Sequence, residues 1–183
     1  MGAAASATGV TGAGAAGGVT GGLLVQLASY RGATVIATAG AGSASRVAAL
    51  GAATVLDYQQ LNWHERIRAL TRGGVDAAAN AARSGAAQAM RAVRDRGRLA
   101  AITSDPPASE RGITVRQVFV ADGTRRAGLI RLLADGALTI TVGERFPLRQ
   151  SAAALIRVGH RTHGSAVVLR PDGAAQPAAQ SPD

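Results

Sequence analysis

The sequence predicts a doubly wound α/β domain, in which helices cover both faces of a parallel sheet. Short apolar runs such as Ala33–Thr38 alternate with segments of helical period. Those segments are about a dozen residues long, the length that right-handed crossovers between parallel strands require. A glycine-rich turn also separates the first predicted strand from the first predicted helix. Together these observations indicate a doubly wound parallel sheet of the Rossmann type.

Strands are predicted where a short run of apolar and β-branched residues is bounded by turn residues. In chain order they are Thr8–Ala13, Ala33–Thr38, Thr54–Leu56, Val75–Ala79, Leu99–Thr103, an extended segment Ile113–Val120, Leu138–Val142 and Ala166–Leu169. The first of these is the weakest, because it holds two glycines and little apolar surface.

Helices are predicted between the strands from apolar residues that recur at helical spacing. The first is marked by Leu23, Leu24 and Leu27 and runs to Tyr30. The others are Ser43–Leu50, Leu61–Arg72, Ser84–Arg94, Asp122–Asp135 and Ser151–Val158. Ser43 or Ser45 can cap the second helix and Ser84 the fourth, because serine hydroxyls accept from free N–H groups. Gly51 and the pair Gly73-Gly74 end two of them.

One domain is expected over residues 1–170. The segment 171–183 reads PDGAAQPAAQSPD and is expected to be a disordered tail.

The composition excludes several kinds of chemistry. The chain has no cysteine, which rules out disulfides, thiolate zinc sites, iron–sulfur clusters and cysteine nucleophiles. All 20 basic residues are arginine. Without lysine there is no P-loop lysine, no Schiff base and no Tyr-x-x-x-Lys pair.

The formal net charge is +9, which raises the possibility of nucleic-acid binding. The arginines are scattered from Arg31 to Arg170 without a block of like charge, and aromatic residues make up only 3%. We therefore expect no nucleic-acid partner; an arginine-driven binder remains an alternative that predicts DNA affinity falling steeply with salt. No run of 18 apolar residues and no secretory signal are visible, so a cytoplasmic protein is expected.

The turn after the first predicted strand has the spacing of a dinucleotide-binding fingerprint. Two overlapping sets of small residues fit it: Gly12, Gly14 and Gly17, and Ala15, Gly18 and Gly21. Such a turn strips the backbone of side chains where a pyrophosphate approaches, and the helix N-terminus presents free N–H groups to the anion. In a segment this rich in glycine, chance or a linker remains an alternative for the motif alone.

The segment after the second predicted strand favours NADP over NAD. NAD-binding domains usually place an acidic residue about 20 residues after the turn, but Asp57 is the first carboxylate of this chain. The strand is followed instead by Gly42, Ser43 and Arg46, which leave room for a 2′-phosphate and can donate to it. The alternative is that Arg46 is a solvated helix residue.

Other candidate sites are incomplete. His160-x-x-His163 has no third ligand nearby and is interpreted as a solvated loop, so no metal is expected. Asp95 and Glu110 form no recognisable carboxylate pair, and no Gly-x-Ser-x-Gly elbow occurs. No residue qualifies as a catalytic acid, so the catalytic residues are unknown.

Taken together, the motifs follow one another in a familiar order between Val10 and Pro171. They are AAGGVTGGLLVQLA (15–28), RGATVIATAG (31–40), LGAATVLDY (50–58), GGVDAAANAA (73–82), GRLAAI (97–102), VFVADG (118–123), LLADGALT (132–139), FPL (146–148) and GSAVVLRP (164–171). In this order and spacing the chain resembles the C-terminal, NADP-binding half of the medium-chain dehydrogenase/reductase superfamily. Its closest resemblance is to the zinc-independent quinone oxidoreductase (zeta-crystallin-like) branch.

The resemblance implies a set of residues that contact NADPH. Gly17, Gly18 and Val19 would lie at the pyrophosphate, and Gly42, Ser43 and Arg46 at the 2′-phosphate. Tyr58 would lie beside the adenine ribose phosphate and Asn80 beneath the nicotinamide ribose. The nicotinamide itself would be bordered by Ser104, Phe119 and Val120. The chain departs from the family pattern in its short, glycine-rich first strand and in Thr20 within the turn.

The activity implied is that of an NADP(H)-dependent oxidoreductase, with hydride transfer from nicotinamide C4 to a quinone or activated alkene and without zinc. The family's N-terminal GroES-like domain, which supplies most of the substrate cleft, is absent, so a truncated chain is expected. The alternative is a non-catalytic NADP-binding module that needs a partner chain. A homodimer through the edge strand Leu138–Val142 is also expected, since family members commonly pair in this way.

Overall fold

The computed structural model describes residues 7–10, 16–102, 106–118, 126–160 and 162–171. Contacts within the chain define two compact units, residues 1–140 and 141–183. The single domain expected over residues 1–170 stays a prediction. Of the expected tail, residues 172–183 lie outside the described residues.

Strands and helices alternate along most of the chain. The strands are β1 (Ala7–Val10), β2 (Thr34–Ala39), β3 (Thr54–Asp57), β4 (Val75–Asn80), β5 (Val93–Ala101), β6 (Thr114–Gln117), β7 (Val142–Pro147) and β8 (Ala166–Arg170). The α-helices are α1 (Val19–Tyr30), α2 (Ala41–Ala49), α3 (Trp63–Leu70), α4 (Ala86–Ala92), α5 (Arg126–Ala134) and α6 (Ser151–Gly159), with one 3₁₀ turn at Leu148–Gln150.

The first unit is built on a six-stranded sheet with the order β3-β2-β1-β4-β5-β6. Every neighbouring pair in it is parallel. The chain starts in the middle of the sheet, moves outward to β3 and then returns to the other side of β1 at β4. This is the strand order of a Rossmann domain, so the predicted fold class is confirmed.

Two apolar clusters lie on opposite faces of this sheet. Alternate residues of β2 point to opposite faces, so Val35 and Ala37 belong to one cluster and Ile36 to the other. The first cluster includes Val25 of α1 and Val47 of α2. The second comprises Ile36, Leu56, Trp63, Ile67, Val75, Ala78, Ala89, Met90, Ala92, Val93, Leu99 and Ile113. Helices therefore cover both faces, and β2 is buried along almost its whole length.

The second unit pairs β7 with β8 in parallel, with α6 as the connection. Ala154 is the buried residue of α6. The Arg157 guanidinium donates to the Glu144 carboxylate and so joins α6 to β7.

The predicted strand Leu138–Val142 is wrong. Only Val142 belongs to a strand, β7, and that strand runs on to Pro147. The segment before it is held by a side chain instead of a ladder: the Gln26 amide oxygen accepts from the Thr139 N–H at 2.8 Å, and its amide nitrogen donates to the Thr139 carbonyl at 3.0 Å. The homodimer expected through that segment stays a prediction.

The predicted helix caps are also wrong. α2 begins after Gly40 and contains both Ser43 and Ser45, and α4 begins after Gly85, whose φ of 91° places it in the left-handed region. In the part of the chain that the structure describes, neither helix start carries a side-chain cap. The left-handed conformation favours glycine at position 85, whereas Gly40 has an ordinary extended backbone (φ −75°, ψ 160°).

The fourth helix is shorter than predicted, and the strand after it begins earlier. α4 ends at Ala92 and β5 starts at Val93, whereas the sequence predicted a helix to Arg94 and a strand from Leu99. Two arginine side chains satisfy carbonyl groups at this junction. Arg111 donates to Met90 at 2.7 Å and to Val93 at 2.8 Å, and Arg68 donates to Val93 at 3.0 Å.

The other predicted helices and strands agree with the structure except at their ends. The helix expected over Leu61–Arg72 spans Trp63–Leu70, since Leu61 is 96% exposed and Arg72 has a φ of 53°. Parts of four expected elements lie outside the described residues, namely 11–13, 103, 119–120 and 122–125. Among the described helices, none is long and apolar enough to cross a membrane.

The turn between α3 and β4 yields the first prediction. A Cβ at Gly74 would lie 2.5 Å from the Arg94 nitrogen and 2.7 Å from the Ala92 oxygen, at a φ of +127°. Gly74→Ala therefore combines backbone strain with overpacking and should lower the free energy of unfolding by about 3–5 kcal/mol. Urea unfolding followed by circular dichroism measures this change.

Gly73→Ala is the matched control, because Gly73 has a φ of +125° with nothing within 4 Å of the added Cβ. Strain alone should cost it about 1–2 kcal/mol. An equal loss in the two variants would show that the contacts of Gly74 are unimportant.

Candidate functional site

The candidate site lies at the edge of the sheet where the parallel strands end. Because β1, β2, β3 and β4 are all parallel, their carboxyl ends meet at one edge. The order reverses between β1 and β4, and a ligand crevice is expected at such a switch point. α1 follows β1 and α2 follows β2, so both helices begin at this edge.

The N-terminus of α1 is open to an anion. Gly18 precedes the helix in an extended conformation (φ −90°, ψ 174°), and no described side chain caps it. The first helical bond runs from the Gly22 N–H to the Gly18 carbonyl at 2.9 Å. The N–H groups of Val19, Thr20 and Gly21 consequently have no partner within the helix. These donors and the helix dipole suit a phosphate group.

Glycine allows α1 to pack closely beside the turn. Gly21 and Gly22 are buried. A Cβ at Gly22 would lie 3.1 Å from Leu50 Cδ1, tighter than an ordinary contact, and 3.5 Å from Arg46 Nη1. Thr20, which departs from the family pattern, is exposed, so it does not disturb this packing.

The N-terminus of α2 forms a second open helix start. Gly40 precedes it in an extended conformation (φ −75°, ψ 160°). The Ser43 N–H donates to the Gly40 carbonyl at 2.9 Å, which leaves Ala41 and Gly42 as free donors in the first turn. The Ser43 hydroxyl donates to the same carbonyl at 3.3 Å. Gly42 is exposed, with nothing within 4 Å of an added Cβ.

Tyr58 lies beside this second helix start. A Cβ at Gly40 would lie 3.4 Å from Tyr58 Cε1 and 3.6 Å from the phenolic oxygen. The Tyr58 ring is therefore in van der Waals range of the chain at Gly40. The neighbouring carboxylate, Asp57, accepts from the Gln59 N–H at 2.9 Å and so closes its own turn. The structure thus brings Gly42, Ser43 and Tyr58 to one place.

Arg46 connects the two helix starts. Its Nη2 donates to the Gly17 carbonyl at 2.6 Å, and the two residues are 29 apart in the sequence. Its Nε is buried and has no hydrogen-bond partner among the described residues. Arg46 is therefore not the solvated helix residue that was left open as an alternative. No sequence pattern indicates this contact, because neither spacing nor residue type joins position 17 to position 46.

Asn80 shapes the loop after β4. It is fully buried, and its Nδ2 donates to the Ala82 carbonyl at 3.0 Å and to the Ser84 carbonyl at 3.3 Å. Its own carbonyl accepts from the Ile102 N–H at 2.9 Å, which ties the ends of β4 and β5 together. A shallow cavity of about 280 Å³ lies beside this loop, lined by residues 83–88 and Pro107. The predicted Ser104, Phe119 and Val120 lie outside the described residues.

The described residues assemble no metal centre. Among them, no three His, Asp or Glu side chains come close enough together to hold an ion. His160 and His163 are both exposed.

The strand order and the two open helix starts define a nucleotide-binding domain of the Rossmann class. The model of the zinc-binding dehydrogenase family matches residues 19–135. The chain therefore belongs to this family, and its resemblance to the C-terminal half of the medium-chain dehydrogenases/reductases is confirmed.

Solved structures agree with this assignment. An NAD-dependent alcohol dehydrogenase superposes with a TM-score of 0.76 at 26% identity, over 91% of this chain and 52% of that chain. A mycobacterial protein in complex with NADPH has a TM-score of 0.75 at 26% identity, over 92% and 58%. A 2-haloacrylate reductase has a TM-score of 0.78 at 25% identity, over 92% and 59%. The chain thus spans little more than half the length of these proteins. No curated protein sequence matches it significantly.

The loop held by Asn80 yields the second prediction. Asn80→Asp replaces a buried donor with a carboxylate that faces two carbonyl oxygens. The free energy of unfolding should fall by about 2–4 kcal/mol, as measured by urea denaturation. Ser84→Ala is the control: the Asn80 amide donates to the backbone carbonyl of Ser84, which the substitution keeps, so this variant should stay within about 0.5 kcal/mol of the wild type. A wild-type midpoint in Asn80→Asp would contradict this role for the amide.

Proposed function

We propose that the chain binds NADP(H) at the carboxyl edge of its six-stranded sheet and acts as the cofactor half of an oxidoreductase. The observation that carries the proposal is the pair of uncapped helix starts at one sheet edge, joined by Arg46. Membership of the zinc-binding dehydrogenase family supports the oxidoreductase class.

The first helix start fits a pyrophosphate. Gly17 and Gly18 keep side chains away from the turn, and Val19 begins the row of free N–H groups. Backbone donors at a helix N-terminus bind phosphate oxygens without any lysine, and this chain has no lysine to offer.

The second helix start fits a 2′-phosphate and therefore favours NADP over NAD. Gly42 and Ser43 provide an open helix turn, Tyr58 flanks it, and Arg46 supplies positive charge nearby. The carboxylate that would accept from the ribose hydroxyls of NAD is missing at the end of β2, and Asp57 is engaged by Gln59. Relatives of comparable identity include both an NAD-dependent enzyme and an NADPH complex, so the choice rests on these residues.

The nicotinamide would lie on the β4 side of the crevice. Asn80 would hold the loop beneath the ribose, and Ser104, Phe119 and Val120 would border the ring. When bound, the cofactor supplies the hydride. The chain's own contribution is to bind and orient it and to exclude water from one face.

The proposed acceptor is a quinone or an activated alkene. A 2-haloacrylate is an alkene activated by a carboxylate, and the reductase named for it shares this fold at 25% identity. Zinc-independent transfer and a cytoplasmic location are part of the proposal. The second candidate function is an NADP-binding module that turns over only with a partner chain.

Calorimetric titration with NADPH and NADH gives the third prediction. Micromolar NADPH binding is expected, with NADH at least about 10-fold weaker. Gly42→Asp places a carboxylate in open space at the α2 start. Like-charge repulsion should weaken NADPH at least about 10-fold and leave NADH within about 3-fold.

Gly128→Asp makes the same charge change at a helical glycine that also has nothing within 4 Å, and it should leave both affinities unchanged. A folded protein that binds neither nucleotide would overturn the proposal. Binding without NADPH oxidation in the presence of quinone or 2-haloacrylate would favour the non-catalytic module.

A further inference from the structure

A hydrogen bond joins Arg46 to the glycine turn that precedes α1. Arg46 leaves the middle of α2 and donates from Nη2 to the Gly17 carbonyl at 2.6 Å. A bond this short from a guanidinium is a strong, charge-assisted contact. Arg46 therefore contacts the backbone beside the proposed pyrophosphate site.

The packing around the guanidinium keeps it there. Nε is buried without a partner among the described residues, so the group has given up water on that side. A Cβ added at Gly22 would lie 3.5 Å from Arg46 Nη1 and 3.1 Å from Leu50 Cδ1, so both side chains pack against this glycine. A larger residue at position 22 would displace the arginine.

The bond fixes the orientation of the whole Gly17–Gly18 peptide, as well as that of the Gly17 carbonyl. A trans peptide is planar, so the Gly17 carbonyl and the Gly18 N–H must point in opposite directions. Glycines on both sides of this peptide allow it to rotate to many orientations. Holding the carbonyl toward Arg46 keeps the Gly18 N–H pointing away from α2.

We propose that Arg46 is a positioning residue for the diphosphate, acting through the orientation of the Gly17–Gly18 peptide. This inference rests on the proposed function and goes beyond it, because it assigns Arg46 an effect on ligands that carry no 2′-phosphate. Loss of the arginine would free the peptide, and ordering it again on binding would reduce the affinity for any 5′-diphosphate.

Two nucleotide fragments separate the two effects of Arg46. ADP carries the 5′-diphosphate without a 2′-phosphate, and 2′-AMP carries the 2′-phosphate without a diphosphate. Each is titrated calorimetrically into wild type, Arg46→Leu and Arg46→Lys. Arg46→Leu removes the donors and keeps apolar packing beside Leu50, whereas Arg46→Lys keeps a charged donor.

The expected result is at least a 10-fold loss of ADP affinity in Arg46→Leu, with Arg46→Lys within about 3-fold of wild type. Unchanged ADP binding in Arg46→Leu would overturn the inference, and so would an equal loss in both variants. If ADP is unaffected while 2′-AMP is lost, Arg46 is a 2′-phosphate ligand only, and the proposed function survives. A folded wild type that binds neither ADP nor NADPH overturns both.

Circular dichroism and the urea midpoint establish that each variant is folded. Should Arg46→Leu fail to fold, Arg46→Met provides the second test, since it removes every donor and keeps an unbranched side chain. Amide exchange of Gly18 in this variant is a direct readout of the peptide: faster exchange than in wild type, with weaker ADP binding, supports the inference. Unchanged exchange and unchanged ADP affinity in a variant that no longer carries the donor would overturn it.

Discussion

Parallel pairing in the six-stranded sheet is the constraint on which the rest of the first unit depends. Parallel strands place all their carboxyl ends at one edge, and each crossover helix then begins beside the strand it follows. The two open helix starts are therefore neighbours as a consequence of strand order. Chemistry at this edge needs few side chains, because backbone N–H groups supply most of the donors.

Small residues allow these elements to approach one another. Gly22 admits Leu50 beside α1, where an added Cβ would lie only 3.1 Å from Leu50 Cδ1. Alanine-rich packing has a cost, since each small side chain buries little apolar area. The larger buried residues, among them Ile67 and Leu99, lie in the cluster on the α3 and α4 face.

Residues with local patterns were predictable, and residues with distant partners were not. The run at β2 is apolar because both of its faces are buried, so its sequence alone indicates a central strand. Ser43 and Ser84 suggest caps by their chemistry, but α2 begins before Ser43, after Gly40, and α4 begins after Gly85, beyond Ser84. Leu138–Thr139 has the composition of a strand and is held instead by Gln26, a residue 113 positions away. The contact of Arg46 with Gly17 likewise depends on the fold that brings α2 beside α1.

The hydrogen bonds between Gln26 and Thr139 mark a place in the chain where an insertion should be tolerated. The chain is anchored at Thr139 and divides into its two compact units between Ile140 and Thr141. Its hydrogen bonds with β8 begin at the Thr141 carbonyl, which accepts from the Ala166 N–H at 2.7 Å. Segments that carry no ladder bonds tolerate added length far better than strands do. A fluorescent reporter inserted after Ile140 would thus interrupt neither sheet and would leave the anchored end of the nucleotide-binding unit as it is.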